Sequence, residues 1–232
     1  MRELEQRAYS YLGRDPVLYM DMLEALRRGS AEVSAVREDG VLIFERNSRA
    51  YLLAAKDCQA GEALAAGVTG PVQMAVHDEG NAMALRDHFH FTQVMECLSA
   101  AYLELEAPLI RGTCQILPLE AEDMDRLRQT FGEEYEEAEL LNRIRAGQLL
   151  GAYREKELVG MMGLYPEGSI GMQAIKPGAE EAAKELLAGI TAWCLENCLA
   201  PYAHVPVGDK GMEELFRQAG YHFAEKSLFW LE

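Results

Sequence analysis

Two blocks of this chain occur twice, in the same order. Leu26-Arg27-Arg28-Gly29, followed by Ser34-Ala35-Val36-Arg37-Glu38, returns as Ile144-Arg145-Ala146-Gly147 followed by Gly151-Ala152-Tyr153-Arg154-Glu155. Leu85-Arg86-Asp87-His88-Phe89-His90-Phe91 returns as Leu215-Phe216-Arg217-Gln218-Ala219-Gly220-Tyr221. Ordered recurrence, with extra residues between the blocks of the second copy, points to a duplicated unit of about 110 residues. The constraint is severe: whatever fold one unit adopts, the chain has to hold two of it. The units are read as residues 1–107 and 112–232, with Ala107-Pro108 to Gly112 between them read as a linker or as the continuation of a strand.

Hydrophobic periodicity and turn residues outline each unit. In the first, Asp15-Pro16 is read as a helix start, with Leu18, Met22, Leu23 and Leu26 at helical spacing up to Gly29. Strands are expected over Glu32 to Arg37 and Val41 to Arg46, around the hairpin signal Asp39-Gly40, and over Ala50 to Ala55. A short helix (Ala60 to Ala66), a strand (Val72 to Val76), a helix (Gly80 to Asp87) and a final strand within Phe91 to Leu103 complete it.

The second unit reads as a strand over Thr113 to Leu119 and helices over Ala121 to Phe131 and Glu134 to Arg145. A hairpin of Leu149 to Arg154 and Leu158 to Leu164 turns around Lys156-Glu157, and Ser169 to Ile175 is the next strand. A long helix from about Glu180 to Glu196 carries Leu186, Leu187, Ile190, Trp193 and Cys194 at the helical period. Ala200 to Val207, Lys210 to Gln218 and Tyr221 to Leu231 follow as strand, helix and strand. A three-strand meander followed by strand, helix and strand builds an α/β fold with a mixed, mostly antiparallel sheet flanked by helices. The pair bridged by the long helix leaves a crevice at the carboxyl ends of its strands, where such sheets hold ligands.

Composition narrows the functions. With 49% hydrophobic and 26% charged residues, 232 residues can bury real cores. A net charge of −16 argues against a nucleic-acid binder and against an anionic membrane surface. The polar start, Met1 to Gln6, carries no secretory signal, and no apolar run reaches the length of a membrane span. Five cysteines at irregular spacing do not form a disulfide framework, so a reducing cytoplasm is expected. Cys194 and Cys198 lie four apart without a second ligand pair, and buried packing is preferred to a zinc site. His88 and His90, taken as alternate residues near a strand, lack nearby acids or thiols, and surface exposure is preferred to metal ligation.

The order of elements, together with several short segments, resembles the GCN5-related N-acetyltransferase (GNAT) superfamily in its tandem form. The carrying segments are Ile116-Leu117-Pro118-Leu119-Glu120-Ala121-Glu122-Asp123, the meander from Leu149 to Ile175, Lys176-Pro177-Gly178 before the long helix, and Leu215 to Tyr221. The resemblance covers residues 112–232, and the first unit looks like a worn copy. It implies that Met172, Gln173, Ala174 and Ile175 hydrogen-bond the pantetheine arm of acetyl-CoA. It further implies that Gly178, Ala179, Glu180, Glu181 and Ala182 present backbone N–H groups to the pyrophosphate, with no metal. A helix N-terminus supplies unsatisfied donors and the positive end of a dipole, which is why such a loop holds phosphate.

The chain departs from that pattern in this degenerate loop. Only Gly178 is present where the superfamily has two or more glycines, and Glu180 and Glu181 stand where phosphate would lie. Phe216 replaces a Tyr that protonates the leaving thiolate in many members, and Asp209 replaces an Asn. Tyr202 and His204, two apart and so on one face of a strand, are the catalytic candidates, His204 as the titratable base. A partly buried His bonded to backbone is the alternative for His204, and Tyr165 either lines the acceptor site or is an exposed turn aromatic. The first unit, with only a short helix in place of the long one, is expected to wall the acceptor cleft or close a sheet edge. Two classes of function stay open. One is an acyl-CoA-dependent N-acyltransferase acting on a primary amine of a small molecule. The other is a non-catalytic binding, regulatory or interaction module on the same fold, with a homodimer as one form.

Overall fold

The computed structural model describes residues 3–69, 72–110, 112–132 and 135–232. The first half runs α1 (Glu3–Leu12), α2 (Met20–Arg27), the meander β1 (Ala31–Arg37), β2 (Gly40–Glu45) and β3 (Ala50–Ala55), then α3 (Cys58–Ala65), β4 (Gln73–Val76), α4 (Glu79–Phe89) and β5 (Val94–Ala101). The second half opens with β6 (Gln115–Pro118), a 3₁₀ turn, α5 (Met124–Phe131) and α6 (Glu137–Arg145). The meander β7 (Leu149–Arg154), β8 (Glu157–Leu164) and β9 (Ile170–Ile175) follows, then α7 (Ala182–Glu196), β10 (Tyr202–Pro206), α8 (Lys210–Gln218) and β11 (His222–Leu231).

Both recurring sequence blocks are helix ends. Gly29 after α2 and Gly147 after α6 sit in the left-handed region at φ 69° and 68°, a conformation that disfavours residues with a Cβ. The next amide reaches back five residues in each case, Ser30 to the Ala25 carbonyl at 3.0 Å and Gln148 to that of Arg143 at 2.8 Å. That closure satisfies carbonyls the helix leaves without partners. At the second block His90 and Gly220 end α4 and α8 with φ of 59° and 89°. Phe91 and Tyr221 then bond the carbonyls of Arg86 and Phe216 at 3.0 and 3.1 Å. His88 therefore lies within a helix and His90 caps it, so the two do not share a strand face as supposed.

The strands form two sheets, and the division ignores the boundary between the halves. Four strands pair in the order β6-β7-β8-β9, and seven in the order β1-β2-β3-β4-β11-β5-β10. β5 lies between β11 and β10, and β11 lies between β4 and β5, so each half places its final strand beside the other half. The small residues Ser99, Ala100 and Ala101 of β5 are buried beside the edge strand β10. In the first half β3 and β4 pair in parallel from Ala50–Gln73 to Leu53–Val76. The corresponding strands of the second half, β9 and β10, share no ladder.

Some boundaries shift for local reasons. Helix α1 was not foreseen, because only Ala8, Tyr11 and Leu12 of its ten residues are buried. Asp15 accepts from the Leu18 amide at 3.1 Å in a turn, and the helix itself begins at Met20. The β7–β8 turn is Glu155-Lys156, one residue earlier than expected, with φ of 50° and 72° as a tight hairpin requires. The long helix starts at Ala182, after a turn in which Ala179 and Ala182 donate to the carbonyls of Lys176 and Ala179.

Helix α7 ties the second half together. Leu186, Leu187 and Ile190 are fully buried among Leu150, Val159 and Met162. A Cβ on Gly189 would meet Ile116 at 2.9 Å, so glycine permits the helix to lie close to β6. Cys194 is buried on this helix, whereas Cys198, past its end, is exposed. Among the described residues no helix is long and apolar enough to cross a membrane.

Candidate functional site

The absent ladder between β9 and β10 leaves a seam beside the start of α7. At one end the seam is stitched shut. The Tyr202 hydroxyl donates to the Glu167 carbonyl at 2.7 Å, and the same oxygen accepts from Arg28 Nη2 at 2.5 Å. Tyr202 is 1% exposed, and burial raises its hydroxyl well above the ordinary range. It therefore holds the β8–β9 turn in place and cannot titrate near neutrality.

Further along, the free edge of β9 already has a partner. The Tyr135 hydroxyl donates to the Gln173 carbonyl at 3.2 Å and accepts from the Gln173 amide at 3.1 Å. Beyond it, the Gly178 amide donates to Glu180 Oε1 at 2.9 Å, in a turn where Gly178 has φ 83°. That bond, together with one from its own amide, lowers the Glu180 carboxyl. Glu181 pairs with Arg154, and Lys176 with Glu157. Met172, Ala179 and Ala182 are buried, so only their backbone can meet a ligand, while Gln173, Ala174 and Ile175 are half-buried. Two openings flank this stretch. One, of about 450 Å³, is walled by Phe131 and residues 173–177; the other, of about 480 Å³, is walled by Arg154, Lys176 and Gly178.

A cavity of about 400 Å³ lies where the two sheets meet. The four-strand side contributes Tyr165, Glu167, Ser169 and Gly171, and the seven-strand side His204, Pro206, Met95 and Trp230. Ser48, Gln73 and Met95 come from the first half of the chain, so both halves build the wall. Glu167 is the group that reading the sequence missed, since Pro166-Glu167-Gly168 looks like an ordinary turn. Its residue is 7% exposed, and burial pushes its carboxyl up to about 7, against the hydrogen bond from the Ser169 hydroxyl. The neighbouring carboxylates Glu45 and Asp21 push it in the same upward direction. A carboxyl poised near neutral pH in a cavity is suited to general-base work.

His204 lines the cavity, but its ring nitrogens face protein. Nδ1 accepts from the Trp230 indole N–H at 3.2 Å, and Nε2 lies 3.6 Å from Asp21 Oδ2. Burial lowers its pKa to about 4, so the ring is neutral at pH 7. Asp21 in turn faces His77, whose Nε2 is 3.0 Å from both carboxylate oxygens and whose Nδ1 donates to the Leu53 carbonyl at 2.9 Å. Burial opposes charge on both partners, but their mutual attraction and hydrogen bonds outweigh it: Asp21 is lowered and His77 raised. Both residues of this buried pair belong to the first half, and Asp21 reaches the cavity wall through His204. Phe216 is fully buried, and Asp209 caps α8 by accepting from the Met212 amide at 2.9 Å. Among the described residues no group of three or more His, Cys, Asp or Glu is placed to hold a metal.

The architecture recurs among solved structures. A Drosophila protein aligns over 99% of this chain and 96% of its own, with a TM-score of 0.70 at 14% identity. A GCN5-related N-acetyltransferase-like protein from Streptococcus suis aligns over 99% of both chains, with a TM-score of 0.60 at 12% identity. A GCN5-related N-acetyltransferase from Kribbella flavida aligns over 93% and 95%, with a TM-score of 0.57 at 13% identity. No protein-family model matches the sequence, and no curated protein matches it. At these identities the likeness is one of fold: the chain has the α/β architecture of GNAT structures over nearly its whole length.

Proposed function

We propose that the chain is an acyl-CoA-dependent N-acyltransferase that carries an acyl group, acetyl being the simplest, to a primary amine of a small molecule. The observation that carries this reading is the unpaired β9–β10 seam, opening beside the start of α7 and meeting a cavity with a carboxyl near neutrality. In this reading the edge of β9, Met172 to Ile175, lies along the pantetheine arm. The turn from Gly178 to Ala182 faces the pyrophosphate. Arg154 and Lys176, now paired with Glu181 and Glu157, supply the cations that a glycine-poor loop needs.

Glu167 takes a proton from the ammonium form of the acceptor. The freed nitrogen attacks the thioester carbonyl carbon, and the C–S bond breaks with its electron pair left on sulfur. The second proton shed by nitrogen passes to that thiolate, giving amide and free thiol, and Glu167 returns its proton to water. Tyr202 and His204 act as positioning residues, the first through the Glu167 carbonyl and the second through Trp230 and Asp21. The matched helix ends and element order support a duplication in which the first half, with β3 and β4 paired, has no seam of its own. The five free thiols fit a reducing cytoplasm.

A second reading has its own observation. Tyr135 on Gln173 and Glu180 on Gly178 hold the very groups a CoA would need, as in a fold-sharing protein that has given up catalysis. Thermal unfolding with 1 mM acetyl-CoA, free CoA or ATP separates the two. A dissociation constant of about 10 μM stabilises the fold by roughly 2.7 kcal/mol, a rise of about 5–10 °C for a chain this size. A rise with both CoA species and none with ATP is expected. No rise with either CoA species favours the second reading.

A further inference from the structure

We propose that the acceptor is an ammonium-bearing molecule with an apolar or aromatic body and no carboxylate; this rests on reading the 400 Å³ cavity as the acceptor site. Among the described residues the cavity wall carries three carboxyl side chains, Glu139, Glu167 and Glu232, and no Lys or Arg. Glu232 accepts from Gln73, but Glu139 and Glu167 form no ion pair among the described residues. Arg28 is a cation beside Glu167 among the described residues, but it does not line the cavity. Its Nη2 donates to the Glu167 backbone carbonyl, and its Nε lies 3.8 Å from Glu24. A ligand cation is therefore the missing partner of these acids.

The remaining wall is apolar. Tyr165 and Trp230 supply aromatic surface, and Met95, Met212 and Pro206 supply aliphatic surface. Aromatic rings attract cations through their quadrupole, and the apolar area favours a hydrocarbon body. An amino acid would bring its carboxylate into the same space. With no cation among the described residues of the wall, that anion would be desolvated beside carboxylates and left unpaired. The site thus separates an amine from the amino acid that differs from it by one carboxylate, a form of selection by repulsion. The acidic surface adds long-range attraction for the same ligands, since the chain carries −16 overall.

Isothermal titration at pH 7.5 with 2-phenylethylamine, phenylalanine and 2-phenylethanol tests this, because the three share one body. The amine is expected to bind at least tenfold tighter than either of the others. Glu139→Gln is expected to weaken the amine several-fold and leave the alcohol unchanged. Equal binding of the three, or no binding of the amine, overturns the proposal. A parallel titration with acetyl-CoA alone keeps the two readings apart. Selective amine binding without acetyl-CoA binding removes the transferase reading and leaves the cavity's selectivity standing. Acetyl-CoA binding without amine selectivity removes the selectivity alone.

Discussion

Glu167 and His204 show how position along a strand underdetermines chemistry. His204 has the side chain most often used as a base, yet Trp230 and Asp21 occupy its surroundings, and burial lowers it to about 4. Glu167, in a turn, is raised to about 7. A base must be ionised to accept a proton, so activity should rise with pH through a limb near 7 rather than fall. Glu167→Gln should lower kcat/KM by about 10²- to 10⁴-fold and abolish that limb in a pH–rate profile. A variant that keeps both the rate and the limb would exclude Glu167 as the base. Glu167 could not be singled out in the sequence, because its neighbours Asp21, Glu45 and Arg28 lie more than a hundred residues away.

In the proposed reading, the turn before α7 is the element that meets the pyrophosphate of CoA. A backbone amide in the turn before a helix can meet an anion, and here Glu180 already accepts from the Gly178 amide, in the turn that precedes α7. Glu180→Ala should free that amide and remove a like charge, tightening acetyl-CoA severalfold in a direct titration. Weaker or unchanged binding would mean that pyrophosphate does not sit on this turn. The helix and the shortage of glycine before it were both legible in sequence. What was not legible is that the carboxylate folds back onto the backbone, because that depends on the φ of 83° at Gly178.

At the scale of the whole molecule, the exchange of β5 and β11 makes the halves interdependent. Residues 112–232 alone would lose β5, leaving β10 without its ladder partner and β11 without both of its own. Such unpaired edges invite aggregation. The isolated segment is therefore expected to elute as aggregate in size-exclusion chromatography, while the full chain stays dispersed. A folded, monodisperse segment would show that the exchanged strands are dispensable. The sequence by itself determined most of the elements, though not α1, and the helix ends at Gly29 and Gly147. Hydrophobic period, turn residues and Gly29 and Gly147 act within a few residues of one another, so their consequences can be read locally. The tertiary structure alone decided which strands pair, that the sheet breaks between β9 and β10, and that Glu167 sits in a cavity. Those outcomes depend on contacts between residues far apart in the chain, and on desolvation, which no local pattern records.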